Sequence, residues 1–391
     1  MQIYLDNSAT TKPRPEAIAK MQQVMGSQWG NPSSLHSWGI RAASILEAAR
    51  IKVADLINAP SESIVFTSGG TEANNLAIIG TARSYKNPQH IIISSVEHSA
   101  VAEPAKLLAD WGWQVTRLPV DRTGRIDPQD LKKAIQKNTV LISIIYGQSE
   151  VGTLQPIEQL AKIAKEKNIL FHTDAVQVAG RLPLDVERLS VDLLSISAHK
   201  IYSPQGAGAL YVRKGVNLVP LFGGGGQEMN LRSGTQALPA IAAFGVAAEM
   251  AAAEIKTITP NLINYRDRLF DLLSDSPYLK PSGDRIYRLP HHVSFVLSPD
   301  AKIPEAITGK TLVRQLNLAG IAISAGSACQ SGKLNPSKTL LAMGYDPITS
   351  KRGIRLSLGR DTTEADIDWT AMVLKQILAR SIVPPLVTSR G

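Results

Sequence analysis

Short apolar runs at 90–94, 140–145, 169–172, 192–196 and 209–212 alternate with helix-length segments such as 157–167. That rhythm restricts the chain more than any other feature. Strands that recur only after a helix-sized connection cannot pair as tight hairpins; they run parallel, with the helices carrying the chain back across the faces of the sheet. The expected fold is therefore α/β, with a large domain around a mostly parallel sheet. An Ala-rich helix through Glu254, a helix-start signal at Pro260 and later strands at 293–297 and 354–358 predict a smaller C-terminal domain. A chain of 391 residues, 44% of them hydrophobic, is long enough for both.

In an open α/β sheet, ligands collect beyond the carboxyl ends of the strands, so the residues that follow each apolar run carry the chemistry. The run ending at 196 leads into Ser197-Ala198-His199-Lys200. A lysine there can form a Schiff base with an aldehyde cofactor while a hydroxyl and a ring nitrogen hold its phosphate. Taken alone, Lys200 reads far better as an ordinary solvated loop lysine, and only the other elements overturn that. Asp174 closes the run before it and can partner a pyridinium nitrogen, although an N-cap or a surface ion pair is the commoner fate of such an aspartate. The third element, Thr67-Ser68-Gly69-Gly70-Thr71-Glu72, passes from a strand through glycines into a helix start. Free N–H groups and the helix dipole favour a phosphate there, and a plain tight turn is the alternative.

The same order of motifs extends along nearly the whole chain. It includes Tyr4-Leu5-Asp6-Asn7-Ser8-Ala9-Thr10-Thr11, Gly30-Asn31-Pro32-Ser33-Ser34-Leu35-His36 and Glu97-His98-Ser99-Ala100-Val101. It continues through His172-Thr173-Asp174-Ala175-Val176-Gln177, Arg232-Ser233-Gly234-Thr235, Ser327-Ala328-Cys329 and Ile354-Arg355-Leu356-Ser357. In these motifs the chain resembles the group I cysteine desulfurases, pyridoxal 5'-phosphate enzymes of the class V aminotransferase family and fold type I. The resemblance implies a large α/β domain over 14–257 with a mostly parallel seven-stranded sheet. It also implies a small α+β domain from 1–13 and 258–391 that carries the catalytic cysteine. Lys200 would be the Schiff-base lysine and proton shuttle, Asp174 the pyridinium partner and Gln177 a donor to the ring oxygen. His98 would lie against the ring and assist acid–base steps, whereas His172 is expected to be a satisfied core histidine. Gly70, Thr71, Ser197 and His199 would hold the phosphate, joined by Thr235 from a second subunit, so a homodimer is expected. Arg355 would clamp the carboxylate of L-cysteine. Cys329 would take its sulfur as a persulfide for a sulfur-acceptor or scaffold protein.

The single cysteine rules out an internal disulfide framework. Small and glycine neighbours, Ser324-Ala325-Gly326 and Ser331-Gly332, favour a reactive thiol in a loop over the alternative of a small buried hydrophobe. Three features depart from the family pattern. Ser149 stands where an asparagine is usual, and it keeps only one of the amide's contacts to cofactor and substrate. The segment 227–231 differs before Arg-Ser-Gly-Thr. Little sequence follows Pro385, so the acceptor is undefined. No metal is expected, since neither Cys-x-x-Cys nor His-Glu-x-x-His spacing occurs, beyond transient ligation of an iron–sulfur cluster by Cys329. A net charge of +9 is spread along the chain without a basic aromatic run. Nucleic acid is therefore expected only indirectly, through tRNA thiolation. The stretch 237–253 is interrupted by Pro239 and Glu249 and reads as a packed helix, not a membrane span. The start carries no signal-peptide pattern, and the expected location is the cytoplasm, or a stroma after processing. Two rival activities stand beside desulfuration. One is a lyase acting on cystine, selenocysteine or cysteine sulfinate. The other is a weakly active homologue that serves as a binding partner.

Overall fold

The computed structural model describes residues 2–326 and 335–382. Its strands are β1 (Ile3–Tyr4), β2 (Ile64–Thr67), β3 (His90–Ser94), β4 (Gln114–Leu118), β5 (Thr139–Ile145) and β6 (Leu170–Asp174). They continue with β7 (Leu193–Ser197), β8 (Gly208–Val212), β9 (Leu279–Pro281), β10 (His292–Leu297), β11 (Ile321–Ala322) and β12 (Gly353–Ser357). The helices are α1 (Pro15–Ser27), α2 (Ser37–Asp55), α3 (Gly70–Ala82), α4 (Ser99–Asp110), α5 (Pro128–Ala134) and α6 (Ile157–Glu166). After them come α7 (Val186–Leu189), α8 (Leu238–Leu272), α9 (Gly309–Leu318), α10 (Lys338–Ala342) and α11 (Glu364–Ile382).

Seven strands form one sheet in the order β2-β8-β7-β6-β5-β3-β4. Neighbours from β7 to β4 pair in parallel, and β8 runs against both β7 and β2. The expected mostly parallel seven-stranded sheet is therefore present, and its apolar runs begin and end within two residues of the predicted positions. Strands covered by helices on both faces bury every position, and β3 and β7 do so along their whole length. The carboxyl ends of β2, β3, β5, β6 and β7 share one edge, from which Gly70, His98, Asp174 and Lys200 follow.

Hydrophobic side chains gather in two main cores. One joins α1, α2, the sheet and the first half of α8. The other joins Ile3 and Leu5 to the second half of α8, the antiparallel β9-β10-β12 sheet, α9 and α11. The parallel pairing of β1 with β11 ties the amino-terminal segment into this second core.

The expectation of a new helix at Pro260 is corrected by the structure: α8 is one helix of 35 residues that continues through Pro260. An interior proline removes one backbone hydrogen bond. Here that loss is outweighed because Ala243, Phe244 and Ala247 on one side of the proline, and Leu262, Leu269 and Phe270 on the other, are buried in the two cores. The boundary expected at 257 falls inside this helix. A Cβ on Gly245 would lie 2.7 Å from Ala49 Cα, so glycine permits the close packing of α8 on α2. Among the described residues α8 is the helix long and apolar enough to cross a membrane, and 56% of its apolar window is buried within the protein.

Candidate active site

At the shared strand edge lies a cavity of about 200 Å³. From α3 come Gly70, Thr71 and Asn74; His98 comes from the start of α4, and Asp174 and Gln177 from the end of β6. Ser197, His199 and Lys200 come from the end of β7 and the 3-10 turn Ala198–Lys200, and Ser149 closes the opposite side. Every one of these except Asn74 was named from sequence.

Specific hydrogen bonds hold several of these groups. Lys200 Nζ donates to the carbonyl oxygens of Ser8 and Ala9, the latter at 2.7 Å. Gln177 Nε2 donates to the same Ser8 carbonyl at 2.9 Å. Asp174 Oδ1 accepts the Val176 N–H at 3.0 Å and Oδ2 accepts from Asn74 Nδ2 at 2.7 Å. His98 caps α4, its Nδ1 accepting the Ala100 N–H at 3.1 Å, and an accepting Nδ1 leaves the ring proton on Nε2. His199 Nδ1 shares a hydrogen bond with Thr10 Oγ1 at 3.1 Å.

Burial controls the protonation of several groups around the cavity. Desolvation, reinforced by the charge of Lys200, pushes His199 down to about 4, so its imidazole is neutral at physiological pH. Burial drives His172 down to about 3; its ring nitrogens meet Ser143 Oγ at 2.8 Å and Ser195 Oγ at 3.0 Å, and it is the satisfied core histidine expected. Glu97, immediately before His98, is pushed up to about 8 by burial, with the Asp174 charge adding to the shift and hydrogen bonds from Ser94 and Ile145 opposing it. It is a neutral acid beside Asp174, and its Oε2 has no partner among the described residues.

On the opposite side Ser149 lines the cavity, and Arg355, which does not line it, stands behind Ser149 as its support. Arg355, on β12 and 2% exposed, donates from Nη1 to the Ser149 carbonyl at 2.9 Å and from Nη2 to Asp6 Oδ1 at 2.6 Å. His292 Nε2 meets the same carbonyl at 3.2 Å. The Arg355 Nε has no hydrogen-bond partner among the described residues. Burial raises Glu150, against hydrogen bonds from Ser337 and Thr339 and the charge of Arg355. Thr235 is exposed and does not line this cavity in its own chain. The unusual segment 227–231 places Glu228, Met229 and Asn230 in the left-handed region. Buried Glu228 holds it there through Arg50 at 2.8 and 2.9 Å and the Phe66 N–H at 2.8 Å. Cys329 lies outside the described residues.

Residues 3–369 match the family model described as aminotransferase class V, and the chain belongs to that family. A cysteine desulfurase IscS of Dictyoglomus turgidum is 44% identical over 383 residues, which cover 97% of this chain and 95% of that protein. Among solved structures, a NifS-like protein superposes with a TM-score of 0.89 at 35% identity, covering 97% of this chain and all of that one. SspA in complex with cysteine gives a TM-score of 0.80 at 33% identity over 93% of this chain and all of that one. The family depends on pyridoxal 5'-phosphate. The residues present fit that group: an amine, a carboxylate and two hydroxyls converge on one cavity. A Cβ on Gly70 would come within 2.8 Å of Val176 Cγ2 and 3.4 Å of Ser197 Cβ, so only glycine leaves room there for a phosphate to approach the helix start.

Asn74, Asp6, His292 and the Ser8 and Ala9 carbonyls were missed as site-forming groups. Asn74 did carry a signal, because it follows Gly70 by four positions on a helix whose neighbouring buried residues, Ala73, Leu76, Ala77 and Ile78, are apolar.

Proposed function

We propose that this chain is a cysteine desulfurase that converts L-cysteine to L-alanine, with the sulfur captured on the Cys329 thiolate as a persulfide. The overall change balances: cysteine and a thiol yield alanine and a persulfide, with no external oxidant. The observation that carries the reading is the convergence of Lys200 and Asp174, from adjacent strand ends, on one cavity beside the glycine start of α3. Pyridoxal phosphate, when bound, supplies an electron sink that eases loss of the substrate Cα proton.

The protein's own groups would do the rest. Asp174 would face the ring nitrogen with its negative charge, and Gln177 would donate to the ring oxygen. Thr71, Ser197, His199 and the N–H groups of the α3 start would bind the phosphate, with Thr235 completing the set from a second subunit. Neutral His199 can take part as a donor or an acceptor without adding a charge. Lys200 would carry the proton from the Cα position, and the His98 Nε2 proton is available for exchange on the other face. Arg355 would receive the substrate carboxylate, oriented by Asp6 and the Ser149 carbonyl. The enzyme is read as a cytoplasmic homodimer, divided into parts 14–257 and 1–13 with 258–391. It would pass sulfur to a protein acceptor for iron–sulfur cluster or other sulfur-cofactor assembly.

The test is the intact mass of the protein, loaded with pyridoxal phosphate, after brief exposure to L-cysteine without reductant, with peptide mapping. A gain of one sulfur atom at Cys329 is expected. No gain, with the cofactor shown to be bound, would overturn the reading in favour of a lyase.

A further inference from the structure

The side chain of Asn74 has no role in the reading above, yet it touches a group that does. It is 1% exposed, lines the same cavity as Lys200, and donates from Nδ2 to Asp174 Oδ2 at 2.7 Å. Because Nδ2 must face the carboxylate, Oδ1 is the remaining end of the amide, and among the described residues it is buried without a partner. A helix whose neighbouring buried residues are Ala73, Leu76, Ala77 and Ile78 would pack an apolar side chain at this position more easily. An unpaired buried amide oxygen costs stability. The cost points to a task at the site and away from packing.

The task follows from the chemistry of Asp174. Its two oxygens are held by neutral donors, the Val176 N–H and the Asn74 amide. A lysine or arginine in Asn74's place would neutralise the carboxylate, and an alanine would leave its plane free to turn. A neutral amide orients the carboxylate while leaving the full negative charge available to a protonated ring nitrogen. The placement is economical in sequence. Gly70 and Asn74 are one helical turn apart on the same face of α3, so one short helix presents both the phosphate end of the site and the support of its opposite end.

We infer that Asn74 is a positioning residue that fixes the orientation of Asp174, and through it the protonation of the ring nitrogen of bound pyridoxal phosphate. The inference rests on the assignment of Asp174 as the ring-nitrogen partner.

The experiment uses the full-length protein loaded with pyridoxal phosphate labelled with ¹⁵N in the ring, comparing the parent with Asn74→Leu, Asn74→Ala and Asp174→Ala. Leucine fills the space and alanine empties it, so a packing defect in one variant does not decide the outcome. Melting of the cofactor-free proteins reports folding, and is expected to be unchanged or raised for Asn74→Leu. In the parent, the ¹⁵N resonance should lie in the protonated range and move to the unprotonated range in Asp174→Ala. In both Asn74 variants it should move part of the way. Pyridoxal phosphate affinity and kcat should each fall about tenfold, with KM for L-cysteine changing less than about threefold. An unmoved resonance with unchanged cofactor affinity in both Asn74 variants would overturn the inference alone. A parent that binds no pyridoxal phosphate, or a resonance indifferent to Asp174→Ala, would overturn the site assignment and the inference with it.

Discussion

The two walls of the cavity are built on opposite plans. On the sheet side, Gly70, His98, Asp174, Ser197 and Lys200 each stand at the end of a strand or the start of the helix after it, so the fold positions them through local geometry. On the other side, Arg355 is held by Asp6, 349 residues away in sequence, and by the carbonyl of Ser149, 206 residues away. The first wall is set once the sheet is set. The second exists only when three distant segments meet, and a buried charge pair holds them together. On the proposed function, chemistry would fall to the side set by local geometry, and recognition of the substrate's carboxylate to the side that depends on long-range closure.

Arg355→Ala should break this contrast most severely. Loss of a charge-assisted carboxylate site is expected to raise KM for L-cysteine about a hundredfold, and removal of one member of a buried pair to cost about 2–4 kcal/mol in urea unfolding. In a double-mutant cycle with Asp6→Asn, the two stability changes should fall short of additivity by about 1–3 kcal/mol. Strict additivity would mean that the far wall is held by something other than this pair.

Glu97→Gln sharpens the contrast from the sheet side. Glu97 binds its proton up to about pH 8 when folded, against 4.5 for a free glutamate. The folded protein therefore holds more protons than the unfolded chain between those values. The stabilisation is complete below about pH 4.5, declines as pH rises, and is gone above about pH 8. Glutamine cannot ionise, so the stability of Glu97→Gln relative to the parent should rise by a few kcal/mol between pH 5 and 8 and then level off. Urea melts across pH 5–9 check it, and a difference independent of pH would show that Glu97 is charged in the fold.

The smallest effect belongs to Ser149→Asn. The wall uses the main-chain carbonyl of residue 149, which the substitution leaves in place, so the melting temperature should not change. The restored amide should raise kcat/KM only about two- to fivefold. A loss of stability would mean that the serine hydroxyl, and not the carbonyl, anchors this region.

The same division explains what could be read from the chain. Local signals carried the sheet wall: apolar runs located β5, β6 and β7 to within two residues, and the motifs after them named Asp174 and Lys200. Arg355 is expected to be a carboxylate receptor only through resemblance, and nothing local announces that Asp6 pairs with it, because the pairing arises only in the folded chain. Pro260 misled because a local helix breaker was outweighed by burial on both of its sides. Glu97 was visible as part of a motif, whereas its neutrality follows from tertiary burial. Asn74 was within reach, since a polar residue four positions after Gly70 in an apolar helix is itself a signal.

The pairing of β1 with β11 sets a timetable for biosynthesis. Residues 3–9 are made more than 300 residues before the partner strand Ile321–Ala322 and Arg355. At ordinary synthesis rates the opening residues wait roughly 15–60 s for them. The pairing that fixes the segment bearing the Ser8 and Ala9 carbonyls, which accept from Lys200 and Gln177, is thus among the later contacts the chain can complete.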